Sequence, residues 1–127
     1  MSIEEKRKYP RLSLGIEDGY FGNFSTADDQ KIVAPIMNLS AGGLNMAVPN
    51  AAKDKIKAGE KLYLKNIAGG ANLAFLGDVH AEIRWVKALE QPGYVSVGCQ
   101  FCELSDEVRQ QLAQFVHTER MTRGQYD

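Results

Sequence analysis

Along most of this chain apolar and polar positions alternate with a period of two, and the pattern turns helical only near the end. Leu12-Ser13-Leu14-Gly15-Ile16 predicts a first, half-buried strand. The alternation loosens through Gly19, Gly22 and Asn23, and the polar cluster Ser25 to Gln30 reads as a hairpin loop. Lys31 to Leu39 predicts a second strand, in which Pro35 cannot donate to a ladder and so marks an edge or a bulge. A tight turn over Asn38-Leu39-Ser40-Ala41-Gly42-Gly43 leads to apolar positions at Leu44, Met46 and Val48. Its two glycines are expected to supply positive φ.

Pro49 to Gly59 is a polar connection with a helical turn around Ala51 to Asp54. Glu60 to Ile67 alternates again and ends at Gly69-Gly70, and Leu73 to Leu76 reads as a short strand. The clearest alternation follows. Val79, Ala81, Ile83 and Trp85 share one face, and Asp78, His80, Glu82 and Arg84 share the other, as in a strand with one face in the core and one in water. Gln91-Pro92-Gly93 turns the chain, and Tyr94 to Phe101 places Val95, Val97, Cys99 and Phe101 inward. Ser105 is the expected N-cap of a helix of about residues 105–120 whose stripe is Val108, Leu112, Phe115 and Val116, with a polar tail from His117 onward. Short antiparallel strands closed by one helix predict an all-β dominated fold, a small barrel plugged or flanked by that helix.

Composition narrows the class. The 127 residues are 44% hydrophobic and 24% charged, which is ordinary for one globular domain. No apolar run approaches the roughly 20 residues of a membrane helix, and the N-terminus has no signal-peptide core, so no membrane insertion and a cytoplasmic location are expected. A net charge of −1 argues against a nucleic-acid polymer as partner, which would want a basic face over much of the domain. Any anionic ligand must be small and met by a local cluster.

One such cluster exists: Lys6-Arg7-Lys8-Tyr9-Pro10-Arg11 holds four cations in six residues. Pro10 keeps the segment out of a helix, and residues 1–11 read as a flexible arm ahead of a barrel over residues 12–127. By itself a charge run near a terminus is ordinarily solvated chain. Asn38 and Ser40, if extended, point to one face beside the glycine turn, although Asn, Ser and Gly are also what turns are made of. Cys99 and Cys102 form a C-x-x-C on a strand, where residues three apart face opposite sides, so redox or zinc chemistry is not expected. There is no paired-His spacing, P-loop or G-x-S-x-G, and the sequence gives no support for an enzyme, a metal or a cofactor.

Read together, Arg7-x-x-x-Arg11 and Asn38-x-Ser40-x-x-Gly43 change the picture. In this order, separated by a hairpin's length and followed by Val97-Gly98-Cys99-Gln100-Phe101 before a helix, they strongly resemble the PilZ family over about Lys6 to Val116. The resemblance implies a six-stranded antiparallel barrel with a C-terminal helix, and cyclic di-GMP as ligand. It implies that Arg7 and Arg11 contact guanine edges and phosphates, that Asn38 and Ser40 meet guanine from the barrel, and that Gly43 lets the backbone approach. Lys8 stands where the family often has Arg, keeping the charge and losing the fork. Asn38 replaces the commoner Asp, and Lys6 occupies the position that bears on whether one ligand or a stacked pair binds.

Two functions follow from the resemblance. One is a cyclic di-GMP receptor that orders its arm and signals to a downstream protein in motility, biofilm or virulence control, as monomer or homodimer. The other is a PilZ-fold interaction module that has lost the nucleotide; its usual mark is loss of the arm arginines or the Ser/Gly turn, all of which are present here.

Overall fold

The computed structural model describes residues 9–69, 73–89 and 92–126. Seven strands, β1 (Leu12–Ser13), β2 (Phe21–Thr26), β3 (Lys31–Ser40), β4 (Gly43–Pro49), β5 (Lys61–Ala68), β6 (Val79–Ala88) and β7 (Tyr94–Cys102), precede one helix, α1 (Asp106–Thr122). All pairings are antiparallel, in the order β3-β2-β5-β6-β7-β4, and β4 returns to pair with β3. The result is a closed six-stranded barrel. Closure leaves no long free edge, and β1 adds two residues beside the end of β3, Leu12 opposite Leu39 and Ser13 opposite Asn38. Ile36, Met46, Leu62, Leu64, Ile83 and Val97 fill the interior, each at 1% exposure or less. Helix α1 packs against β1 and β3.

Sequence periodicity and structure part at five places, each with a local cause. The first strand stops at Ser13. Asp18 accepts a hydrogen bond from the Gly15 N–H at 2.8 Å, and the chain winds into a 3-10 turn, Ile16–Asp18, that leaves Ile16 exposed. Strand β2 runs through the stretch read as irregular, because its buried positions are Gly22, Phe24, Ser25 and Thr26, of which only Phe24 carries an apolar signal; the bulge in its pairing with β5 falls at Lys65 of β5. Ser25 and Thr26 belong to the strand, and the loop is confined to residues 27–30, with Asp29 at a φ of 67°. Leu73 to Leu76 is a turn rather than a strand. Leu76 N–H donates to the Leu73 carbonyl, which sends both leucines into the core.

The fourth difference is a bulge between Ile83 and Trp85. The inserted Arg84 reverses the alternation, so Trp85 leaves the core side on which its spacing put it. The fifth is the helix, which continues through His117 to Thr122. Ser105 caps its start by accepting from Val108 N–H, and at the far end Arg123 holds both Glu119, four residues back, and Asp18 on the barrel. Gly70 and Gln91, expected at turns, lie outside the described residues. No helix among the described residues is long and apolar enough to cross a membrane.

Candidate functional site

The β3–β4 turn is built by its own side chains. Ser40 Oγ accepts from the Gly42 N–H at 3.1 Å and reaches the Gly43 carbonyl at 3.4 Å, an internal bracket that shapes the turn. Neither Gly42 nor Gly43 has a positive φ, so the expected conformational reason for these glycines is replaced by a steric one. A β-carbon on Gly43 would fall onto the backbone carbonyl of Cys99, because β4 and β7 run too close there for any side chain. On Gly42 a β-carbon would come within 2.9 Å of the Tyr9 ring, so the last described residues of the arm already lie across the turn. Arg109 of helix α1 donates to the Ala41 carbonyl at 2.9 Å, and its guanidinium sits 5.6 Å from the Tyr9 ring centroid.

Beside this turn the outer surface of β3, β4, β7 and β6 forms an open groove of about 400 Å³. Arg11, Asn38, Ser40 and Gly43 all line it. Arg11 and Asn38, 27 positions apart in the chain, thus meet in space. Arg7, Lys8 and Lys6 lie outside the described residues.

The groove also contains residues that periodicity did not single out: Asn45, Arg84, Trp85 and Gly98. Asn38, Asn45, Gly98 and Trp85 are successive register partners across four strands, so they form one row of the groove floor. Gly98 is bare because the Trp85 indole covers it, and Lys87 Nζ stands 4.8 Å from the indole centroid. The Asn45 amide is fixed by a 2.8 Å hydrogen bond from the Ser96 hydroxyl. Among the described residues, Asn38 and Arg11 side chains make no hydrogen bond or ion pair, which leaves an amide and a guanidinium available to a ligand. The signal that could have found Trp85 was the outward glycine on β7; the bulge that turns the indole outward has none in the sequence.

Chemically the groove offers two arginines, a row of two amides and an indole face. That set matches a planar, hydrogen-bonding base carrying an anionic phosphodiester. A second depression, about 230 Å³ between β6 and the start of α1, is flanked by Asp78 and Glu103 and has the wrong charge for such a ligand.

A six-stranded antiparallel barrel whose site lies on its outer wall, beside a Ser-bracketed hairpin and a C-terminal helix, defines the class. The chain belongs to the PilZ domain family, whose model matches residues 5–118. The PilZ domain of YcgR from Escherichia coli, solved with cyclic di-GMP, superposes with a TM-score of 0.72 at 19% identity, covering 95% of this chain and 97% of that one. The MrkH–cyclic di-GMP complex of Klebsiella pneumoniae gives 0.74 at 14% identity, covering 98% and 57%. The inhibitor of motility from Bacillus subtilis gives 0.69 at 16%, covering 94% and 53%. The chain therefore spans about half the length of the latter two. No curated protein matches it in sequence.

Proposed function

We propose that this chain is a bacterial cytoplasmic receptor for cyclic di-GMP, acting through binding and not as an enzyme. The observation that carries this reading is the meeting of Arg11 with Asn38, Ser40 and Gly43 in one groove floored by Trp85. Cyclic di-GMP presents two guanines and two phosphodiesters on a compact ring. Arg11 would take a guanine edge or a phosphate with its planar fork, joined by Arg7 and Lys8 from the arm and, more weakly, Lys6. Asn38 would meet the guanine edge, and the Ser40 bracket and Gly43 would hold the turn against β7.

Magnitudes show why the groove must contribute besides the arm. Micromolar affinity needs about −8 kcal/mol, and a bidentate arginine–guanine pair discriminates by about 1–3 kcal/mol. Base stacking on an aromatic side chain adds about 1–3 kcal/mol. Residues 1–11 serve in this reading as an arm that orders over the ligand, and its new surface signals to a downstream protein. Tyr9 against Gly42 and Arg109 supports that, since the arm's root already touches both the turn and the helix.

Calorimetric titration tests the reading: wild type, Arg7→Ala, Arg11→Ala and Ser40→Ala against cyclic di-GMP, with GTP and cyclic di-AMP as controls. Heat is expected only with cyclic di-GMP, and large losses for both arginine variants. Folded wild type that gives no heat would overturn the receptor reading in favour of a nucleotide-independent interaction module.

A further inference from the structure

Helix α1 buries three residues, Leu112, Val116 and Arg120, spaced by four along one face. The first two form the apolar stripe, and the third puts a guanidinium where that stripe calls for another apolar side chain. Arg120 is 6% exposed, and its Nε is sealed from solvent without a hydrogen-bond partner. Among the described residues its side chain makes no ion pair. Two ordinary reasons for an arginine here fall short. A cation suits a helix C-terminus, but nothing in that attraction requires burial. An arginine stem can cover apolar surface while its head stays in water, but here the sealed atom belongs to the head.

Arg120 borders a cavity of about 50 Å³, walled also by Tyr9, Pro10, Ala41, Ala113, Val116 and His117. One water needs roughly 10–15 Å³, so the cavity has room for a small group. A buried charge without a partner is among the costliest features a fold can carry, and the planar arginine fork matches a carboxylate. The walls are mostly apolar, so the further oxygens of a phosphate would find few donors. We infer that this cavity takes one carboxylate on Arg120, and that filling it steadies the root of the arm. Tyr9 lines both this cavity and the ligand groove, and Pro10 directly precedes Arg11. A filled cavity therefore strengthens cyclic di-GMP binding, a consequence that rests on the receptor reading above. The carboxylate has two possible sources. Glu4 and Glu5, outside the described residues, stand five and four positions before Tyr9; the other source is a free small carboxylate.

The test is thermal melting of the whole chain, followed by circular dichroism, as formate is added at constant ionic strength. It uses wild type, the double variant Glu4→Gln/Glu5→Gln, and Arg120→Met, which keeps an apolar stem and removes the charge. A ligand bound only by the folded state raises the melting temperature. A rise of several degrees in wild type and double variant, absent from Arg120→Met, supports the site with a free carboxylate as occupant. A rise in the double variant alone supports it with the arm's own glutamate already in place in wild type. Responses no larger than that of Arg120→Met in both other proteins would overturn the inference. Should Arg120→Met not fold, the Nε–H NMR signal of Arg120 in the double variant reads the same contact. Movement of that signal with formate supports the site, and a fixed signal overturns it. In the double variant formate should also tighten cyclic di-GMP binding about fivefold, an ordinary size for coupled sites. Unchanged affinity there would overturn the coupling. Wild type that binds no cyclic di-GMP would overturn the receptor reading and the coupling with it, while the melting result decides the carboxylate site independently.

Discussion

The indole of Trp85 lies over Gly98, so close that a β-carbon on Gly98 would stand 2.5 Å from the indole Nε1. The pair joins β6 to β7 and forms part of the groove floor. Because the ring is a movable side chain and not backbone, Gly98→Ala should fold, with its indole displaced. Trp85 is the only tryptophan in the chain, so its fluorescence reports on this position alone. Gly98→Ala should shift that emission and weaken cyclic di-GMP binding, and Trp85→Ala should weaken it by about 1–3 kcal/mol, the worth of one stacked base. Full affinity in Trp85→Ala would remove the indole from the site.

The two turn glycines should respond differently to the same substitution. On Gly43 the added carbon meets the Cys99 carbonyl, and two paired backbones cannot part without losing ladder hydrogen bonds. Gly43→Ala should therefore cost about 1–3 kcal/mol of stability, as overpacking does, seen as a fall of several degrees in melting temperature. On Gly42 the carbon meets only the Tyr9 ring. Gly42→Ala should melt near wild type and show its effect in ligand affinity. Equal melting of the two variants would contradict the steric account.

Much of this was legible in the residues. The alternations over Lys31 to Val48 and Tyr94 to Phe101 gave three strands close to their observed limits, because each has one face in the barrel and one outside. The Asn38-x-Ser40-x-x-Gly43 turn was legible as a motif. Trp85 was not, since a bulge at Arg84 changes which face every following residue takes and leaves no mark on composition. Strand β2 was hidden for a different reason: of its buried residues Gly22, Phe24, Ser25 and Thr26, only Phe24 carries an apolar signal. Asn45 alternated correctly as an outward residue, but outward positions carry no signal until the register shows what stands beside them.

The two cysteines should separate cleanly by reactivity. Cys99 faces the core, and burial pushes its thiol up to about 12, so it has almost no thiolate at neutral pH. Cys102, three residues on, is only half-buried on the other face. A disulfide-exchange reagent at pH 8 should titrate one thiol rapidly in the folded protein and two after denaturation, with Cys102→Ser abolishing the fast reaction. Two fast thiols in the native protein would mean that β7 is not held in the barrel as described.

Acid should release the C-terminus before it unfolds the barrel. Asp18 accepts from Gly15 N–H and pairs with Arg123 Nη1 at 2.8 Å, and these two, in that order, hold its carboxyl below the ordinary 3.8. A lowered native pKa means the unfolded chain binds the proton first. The contribution is therefore complete at pH values above the unfolded value and is lost as pH falls through the depressed native one. The neighbouring Gln125 amide grips Ser13, accepting from its N–H at 2.8 Å and donating to its carbonyl at 3.1 Å. Carboxyl-carbon NMR should place the Asp18 midpoint below 3.8, with hydrogen exchange at Arg123 to Gln125 rising over that range. An ordinary midpoint would show that the contact is not populated in solution.

Arg109 gives the helix a hold on the turn beside the groove without lining the groove itself. One side chain donates to the Ala41 carbonyl in the turn and presents its guanidinium to Tyr9 at the root of the arm. A hydrogen bond to a charged donor is worth about 1.5–3 kcal/mol, and an exposed cation–π contact about 0.5–1 kcal/mol. Arg109→Ala should lower stability by up to the first of these and also let Tyr9 move from its place over Gly42. Lysine keeps the charge but cannot make both contacts with the same planar fork. On the proposed receptor reading, affinity for cyclic di-GMP should then fall in the order wild type, Arg109→Lys, Arg109→Ala, with faster dissociation, because Tyr9 is held less firmly over the turn. Stopped-flow Trp85 fluorescence measures that rate directly. Stability lost without any change in dissociation would make Arg109 a helix anchor only, and would disconnect α1 from the arm.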